Sequence, residues 1–136
     1  MNKVIFFAIL ALLATIGIAS AQQSVIVPAT TASVPITITT ATTTRLIVGV
    51  ASKRIYVTAV DVIAAGTGNI QFISGTGTTC GTGTINVTGD YNLTAQVGFT
   101  KATGNGAVWV LGLGLSLCAV TSAGVGMPGS LSYAIF

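Results

Sequence analysis

Lys53-Arg54-Ile55-Tyr56-Val57-Thr58-Ala59-Val60-Asp61-Val62-Ile63-Ala64-Ala65 is the stretch that decides the fold. β-Branched residues dominate it, and its side chains fall into two alternating sets, the repeat of a strand. Ile55, Val57, Ala59, Asp61 and Ile63 are expected on one face, with Tyr56, Thr58, Val60 and Val62 on the other. Both sets are mostly apolar. The stretch therefore reads as a central strand, covered on both faces or lying where a partner covers it.

Shorter runs of the same kind flank it at Val34–Thr39, Arg45–Val50, Ile70–Ser74, Thr84–Thr88, Leu93–Phe99, Ala107–Leu113, Ser116–Thr121 and Leu131–Phe136. Between them lie Gly66-Thr67-Gly68-Asn69, Gly75 to Gly83, Gly89-Asp90, Gly104-Asn105-Gly106 and Gly124 to Gly129, all turn-forming compositions. Many short strands with Gly-rich turns predict an all-β chain, a single β-sandwich of jelly-roll type spanning residues 45–136. Nothing after Ala21 carries a helical period.

Residues 22–44 read differently. Pro28, Pro35 and a dense Thr run make this an extended N-terminal arm that is excluded from a central strand around its prolines. It suits a linker or an edge strand, or a donor strand that completes a neighbour's open sheet with Val34, Ile36 and Ile38 as alternating anchors.

Residues 1–21 have the three parts of a secretory leader. Lys3 supplies the positive start, Val4 to Ile18 an apolar helix-forming stretch, and Ala19-Ser20-Ala21 a small-x-small cleavage site before Gln22. The competing reading is a retained anchor. Against it, the apolar run is shorter than the roughly 20 residues a spanning helix needs, and no basic stop-transfer cluster follows. Cleavage leaves Gln22–Phe136, a length suited to one domain with an ordinary core and without a stable membrane anchor. The expected destination is secreted, extracellular or periplasmic.

Charge is scarce: 5% of residues are charged and histidine is absent. Behind the leader, Arg45, Lys53, Arg54 and Lys101 stand against Asp61 and Asp90. Only Lys53 and Arg54 are adjacent, too small a cluster to neutralise a phosphate backbone, so nucleic acid is not an expected partner. A surface with so little charge relies on Thr, Ser, Asn and Gly or is covered by copies of itself, which makes a homo-oligomer, particle or filament the expected state.

The two cysteines, Cys80 and Cys118, form an even pair in an exported chain and are expected to make a structural disulfide. Without histidine and with the cysteines far apart, no metal-ligand set is recognisable, and no cofactor is expected.

Catalytic chemistry finds little support. The serines have no histidine to activate them. Asp61 sits mid-strand and Asp90 follows a turn glycine, so a glycosidase pair would require the fold to bring them into one cleft. Gly75-Thr76-Gly77-Thr78-Thr79-Cys80-Gly81-Thr82-Gly83 lacks the Gly-Lys-Ser/Thr ending of a phosphate loop and reads as a flexible loop tethered by Cys80. Asn86-Val87-Thr88 and Asn92-Leu93-Thr94 match glycosylation acceptors. Tyr91 and Trp109 are candidate ligand-facing aromatics for a glycan, although Trp109 between Val108 and Val110 equally suits core or interface packing.

From Thr42 onward the residues resemble a family. Thr42-Thr43-Thr44-Arg45-Leu46-Ile47, then Lys53 to Thr58, then the Gly75–Gly83 run with its cysteine, follow in order. Thr88-Gly89, Leu117-Cys118 and the ending Gly129-Ser130-Leu131-Ser132-Tyr133-Ala134-Ile135-Phe136 complete the series. The series resembles small β-sandwich proteins from the structural regions of tailed phages and viral metagenomes. That resemblance implies a decoration-like particle-surface module with no catalytic residues. The leader departs from that pattern, since a virion protein assembled in the cytoplasm needs no export. An exported assembly subunit, or a secreted carbohydrate-binding or adhesin module, is therefore weighed beside the virion surface.

Overall fold

The computed structural model describes residues 32–122 and 124–136. The leader at 1–21 and the arm as far as residue 31 lie outside the described residues. Ten strands follow in order: β1 (Ala32–Ile38), β2 (Thr43–Ile47), β3 (Ile55–Ile63), β4 (Gly68–Thr76), β5 (Thr82–Asn86), β6 (Tyr91–Leu93), β7 (Gly98–Ala102), β8 (Trp109–Val110), β9 (Ser116–Thr121) and β10 (Met127–Ile135). No helix occurs among the described residues. The described part of the chain is all-β.

The strands form two five-stranded antiparallel sheets. One runs β1-β10-β3-β7, with β8 also on β3; the other runs β2-β9-β4-β5, with β6 also on β4. Within each sheet the apolar side chains of alternate residues turn to one side, and a single buried cluster draws on both. Ile36, Ile55, Val57, Val60, Val62, Met127 and Leu131 enter it from the first sheet, and Ile47, Ile70, Phe72, Leu117 and Ala119 from the second. Burial of these side chains is the main stabilising contribution, at roughly 1.5–3 kcal/mol for each large one before the entropy of ordering is set against it.

The alternation expected along β3 is interrupted. Ser132 of β10 faces Ala59, whereas Tyr133 faces Val57, so Thr58 is an extra residue, a β-bulge. The two faces exchange there. Ile55 and Val57 on one side of the bulge and Val60 and Val62 on the other all enter the core, while Tyr56, Ala59, Asp61 and Ile63 do not. The strand is central, between β10 and β7 with β8, but its apolar content serves one buried face. The expectation of two covered faces is corrected by the bulge.

Several strand limits also differ. Leu93–Phe99 is not one strand: β6 ends at Leu93, the Val97 amide donates to the Thr94 carbonyl, and Gln96 takes φ +62°, a turn between the sheets. Gly124–Gly129 is not wholly turn, because β10 begins at Met127. Pro128 is tolerated in it because only β1 pairs there; β3 joins from Gly129 onward.

The described part of the arm belongs to both sheets. β1 pairs with β10 from Ala32↔Tyr133 to Ile38↔Met127, and β2 begins at Thr43 against β9. β1 is an edge strand, the position that Pro35 permits. Ile36 and Ile38 are buried in the core of their own chain and Val34 packs against it.

Candidate functional site

Cys80 and Cys118 are joined in a disulfide, with their Cα atoms 6.2 Å apart. It links the β4–β5 loop to the central strand β9, and both residues are fully buried in a small cluster with Ile73. The loop around Cys80 is a hairpin connection in which Gly77 and Cys80 take positive φ. The Thr84 hydroxyl donates to the Cys80 carbonyl at 2.6 Å, which holds the turn against β5.

Four aromatic residues form a continuous row between the sheets. Tyr91 stacks on Phe99 at 4.2 Å, Phe99 meets Phe72 edge-on at 6.5 Å, and Phe72 lies 4.9 Å from Trp109. These offset and edge contacts suit the ring quadrupoles, and they join β6 and β4 of one sheet to β7 and β8 of the other. Lys101 Nζ sits 5.2 Å from the centre of the Tyr91 ring. Tyr91 and Trp109 both pack against the core.

Trp109, not Tyr91, lines a cleft of about 340 Å³ with Ser74, Ile85, Val87 and Val110. It opens where β5 and β8 approach from opposite sheets. All five residues of β5 are exposed. Ile85 is 57% exposed and Val110 48%, so the cleft mouth is apolar. Asn86, an acceptor asparagine, is at the same place. The second acceptor, Asn92, is exposed and borders a notch of about 300 Å³ near Ser122, where Asn69 Oδ1 accepts from the Ser122 amide and hydroxyl.

Thr100 Oγ1 donates to Asp61 Oδ1 at 2.8 Å on the exposed side of β3, and Asp90 is exposed in the break between β5 and β6. Among the described residues no group of three or more His, Cys, Asp and Glu side chains is placed to hold a metal ion. None of their buried side-chain polar atoms lacks a hydrogen-bond partner.

One surface was hidden in the sequence. Arg45–Val50 and Ala107–Leu113 read as strands, but β2 stops at Ile47 and β8 is only Trp109–Val110. Val48, Val50 and Leu113 therefore fall in loops at one end of the sheets. The signal was glycine: a Cβ on Gly49 would collide with the Gly114 carbonyl, and Gly114 takes φ +72°. The two loops approach backbone to backbone, and there a strand cannot continue.

No protein-family model, no curated protein and no solved structure matches the chain.

Proposed function

We propose that the protein is a non-enzymatic structural surface module, an exported assembly subunit or a decoration-like component of a virion surface, that works through contacts between copies. Its β-sandwich is of jelly-roll type. β5 with β6, and β7 with β8, pair with the same neighbour strands and count as two interrupted strands. The eight that result are ordered first-eighth-third-sixth in one sheet and second-seventh-fourth-fifth in the other, the jelly-roll order.

The observation that carries the functional reading is the apolar mouth between β5 and β8. Unpaired edges are templates for association, and proteins that stay apart guard them with charge or proline. β1 has Pro35, β2 has Arg45 and β7 has Lys101, whereas β5 has neither device and exposes Ile85. Light scattering under non-reducing conditions tests this. Several copies per particle are expected, reduced by Ile85→Asp or Val110→Asp without loss of the fold; a monomer at every concentration would overturn the reading.

A second reading draws on the same cleft. Trp109 beside Asn86 and Ser74 is an aromatic wall with polar neighbours, a combination suited to a sugar ring. Binding to a glycan panel that Trp109→Ala abolishes, in protein that remains monomeric, would select a secreted carbohydrate-binding or adhesin module instead.

A further inference from the structure

The loop end that carries Val48, Val50 and Leu113 also carries Phe136, and its parts are tied together. The Gly114 amide donates to the Lys53 carbonyl at 2.8 Å, the Lys53 amide to the Val50 carbonyl at 3.1 Å, and Arg54 and Phe136 exchange two backbone bonds of 2.6 and 3.1 Å. Gly49 donates to Ser116 Oγ at 2.9 Å. The β2–β3 loop, the β8–β9 loop and the end of β10 thus form one braced surface.

Four large apolar side chains project from it. Val48 is 57% exposed, Val50 43%, Leu113 58% and Phe136 45%. Exposed apolar side chains gathered at one end of a small domain call for an occupant.

The charges select among occupants. Arg45, Lys53 and Arg54 are all exposed at this end. The Arg45 guanidinium donates to the Gly77 carbonyl and the Arg54 guanidinium to the Leu111 carbonyl, each at 3.3 Å, so both are held beside the loops with their charge intact. The two aspartates of the described residues lie elsewhere, Asp61 toward the opposite end of β3 and Asp90 between β5 and β6. A second copy docked on the same surface would bring two basic triads face to face. Apolar tips ringed by cations instead complement a lipid surface, where the tips enter the acyl boundary and the cations meet phosphate headgroups.

We propose that this end is a peripheral docking surface for an anionic lipid bilayer, with Val48, Val50, Leu113 and Phe136 as the inserting side chains and Arg45, Lys53 and Arg54 as the headgroup contacts. It adjoins the β5–β8 cleft, whose lining includes Leu111 and Gly112, but the four inserting side chains are not among the cleft residues.

The test is co-sedimentation of the purified protein with vesicles of phosphatidylglycerol and phosphatidylcholine, against vesicles of phosphatidylcholine alone. Binding is expected only to the anionic vesicles and is expected to weaken with salt. Lys53→Gln should lower affinity about fivefold, the effect of one charge near an anionic surface. Leu113→Asp should lower it at least about tenfold, by placing a carboxylate where an apolar tip inserts. Every variant keeps the leader, so binding driven by that segment would be equal in all of them and would overturn the proposal. Equal binding to both vesicle types, or to neither, would also overturn it. Should Leu113→Asp fail to melt cooperatively, Lys53→Gln with the salt series carries the test. Light scattering without vesicles separates the two readings: a changed subunit count in Leu113→Asp would make this end an interface between copies and overturn lipid docking, while leaving the assembly reading in place.

Discussion

The Trp109 ring centre lies 4.9 Å from that of Phe72, so a residue of the two-residue strand β8 packs on the side chain at the middle of the opposite sheet. β8 pairs with β3 at Tyr56↔Val110 and Val57↔Trp109, flanked by bonds from the Val108 and Leu111 amides to the Val57 and Ile55 carbonyls, and the indole contact supplements that short pairing.

Phe72→Ala should therefore cost about 3–5 kcal/mol, because a fully buried ring is lost and the row from Tyr91 to Trp109 is broken at its centre. Trp109→Ala should cost less, since the indole is only half-buried. The chain has one tryptophan, so its fluorescence reports this contact directly. Denaturant melts of both variants, with an emission shift in folded Phe72→Ala, are the check.

Reduction of Cys80–Cys118 should lower stability by on the order of 3–4 kcal/mol, the chain entropy released by opening a loop with sequence separation 38. In a domain of this size each kcal/mol corresponds to roughly 4–8 °C in Tm. Calorimetry with and without reductant measures it, and an unchanged Tm would show that the loop is held by its packing alone.

Deleting Thr58 should destabilise by about 1–3 kcal/mol but leave folding cooperative. Without the extra residue Ile55, Val57, Val60 and Val62 alternate regularly and keep the core face, and what is lost is the buried Thr58 side chain and the bond from the Thr103 amide to its carbonyl. Thr58→Ser keeps the bulge and should melt close to the parent. Circular dichroism melts of the two proteins decide the matter.

Gly129→Ala should destabilise by about 1–3 kcal/mol, because the added Cβ would meet the Asp61 carbonyl oxygen where β10 first pairs with β3. Gly89→Ala, with nothing near its Cβ, should stay within about 0.5 kcal/mol of the parent in the same urea titration.

Legibility divides along the range of the interactions. The all-β class, most strand positions and the loop around Cys80 follow from β-branched runs and glycine punctuation, which act over a few residues. The Thr58 bulge does not. It is imposed where β7 gives way to β8: the Thr103 and Val108 amides donate to the Thr58 and Val57 carbonyls, and nothing in the residue types of β3 marks that place. Tyr91 and Trp109 stood out in the sequence as candidate ligand-facing aromatics, but only the fold put Trp109 at a cleft and stacked Tyr91 on Phe99.

By itself the sequence determined a histidine-free, weakly charged chain of short strands with one pair of cysteines. These are properties of composition and local pattern, and they limit the chemistry available to any fold. Tertiary structure alone decided that β1 pairs with β10 and β2 with β9, that the apolar residues of β3 share one face, and that Val48, Val50 and Leu113 emerge beside Arg45, Lys53 and Arg54. The physical reason is that edge, face and end are set by backbone pairing between segments far apart in the chain, and a residue's neighbours in sequence carry no record of its partners across a sheet.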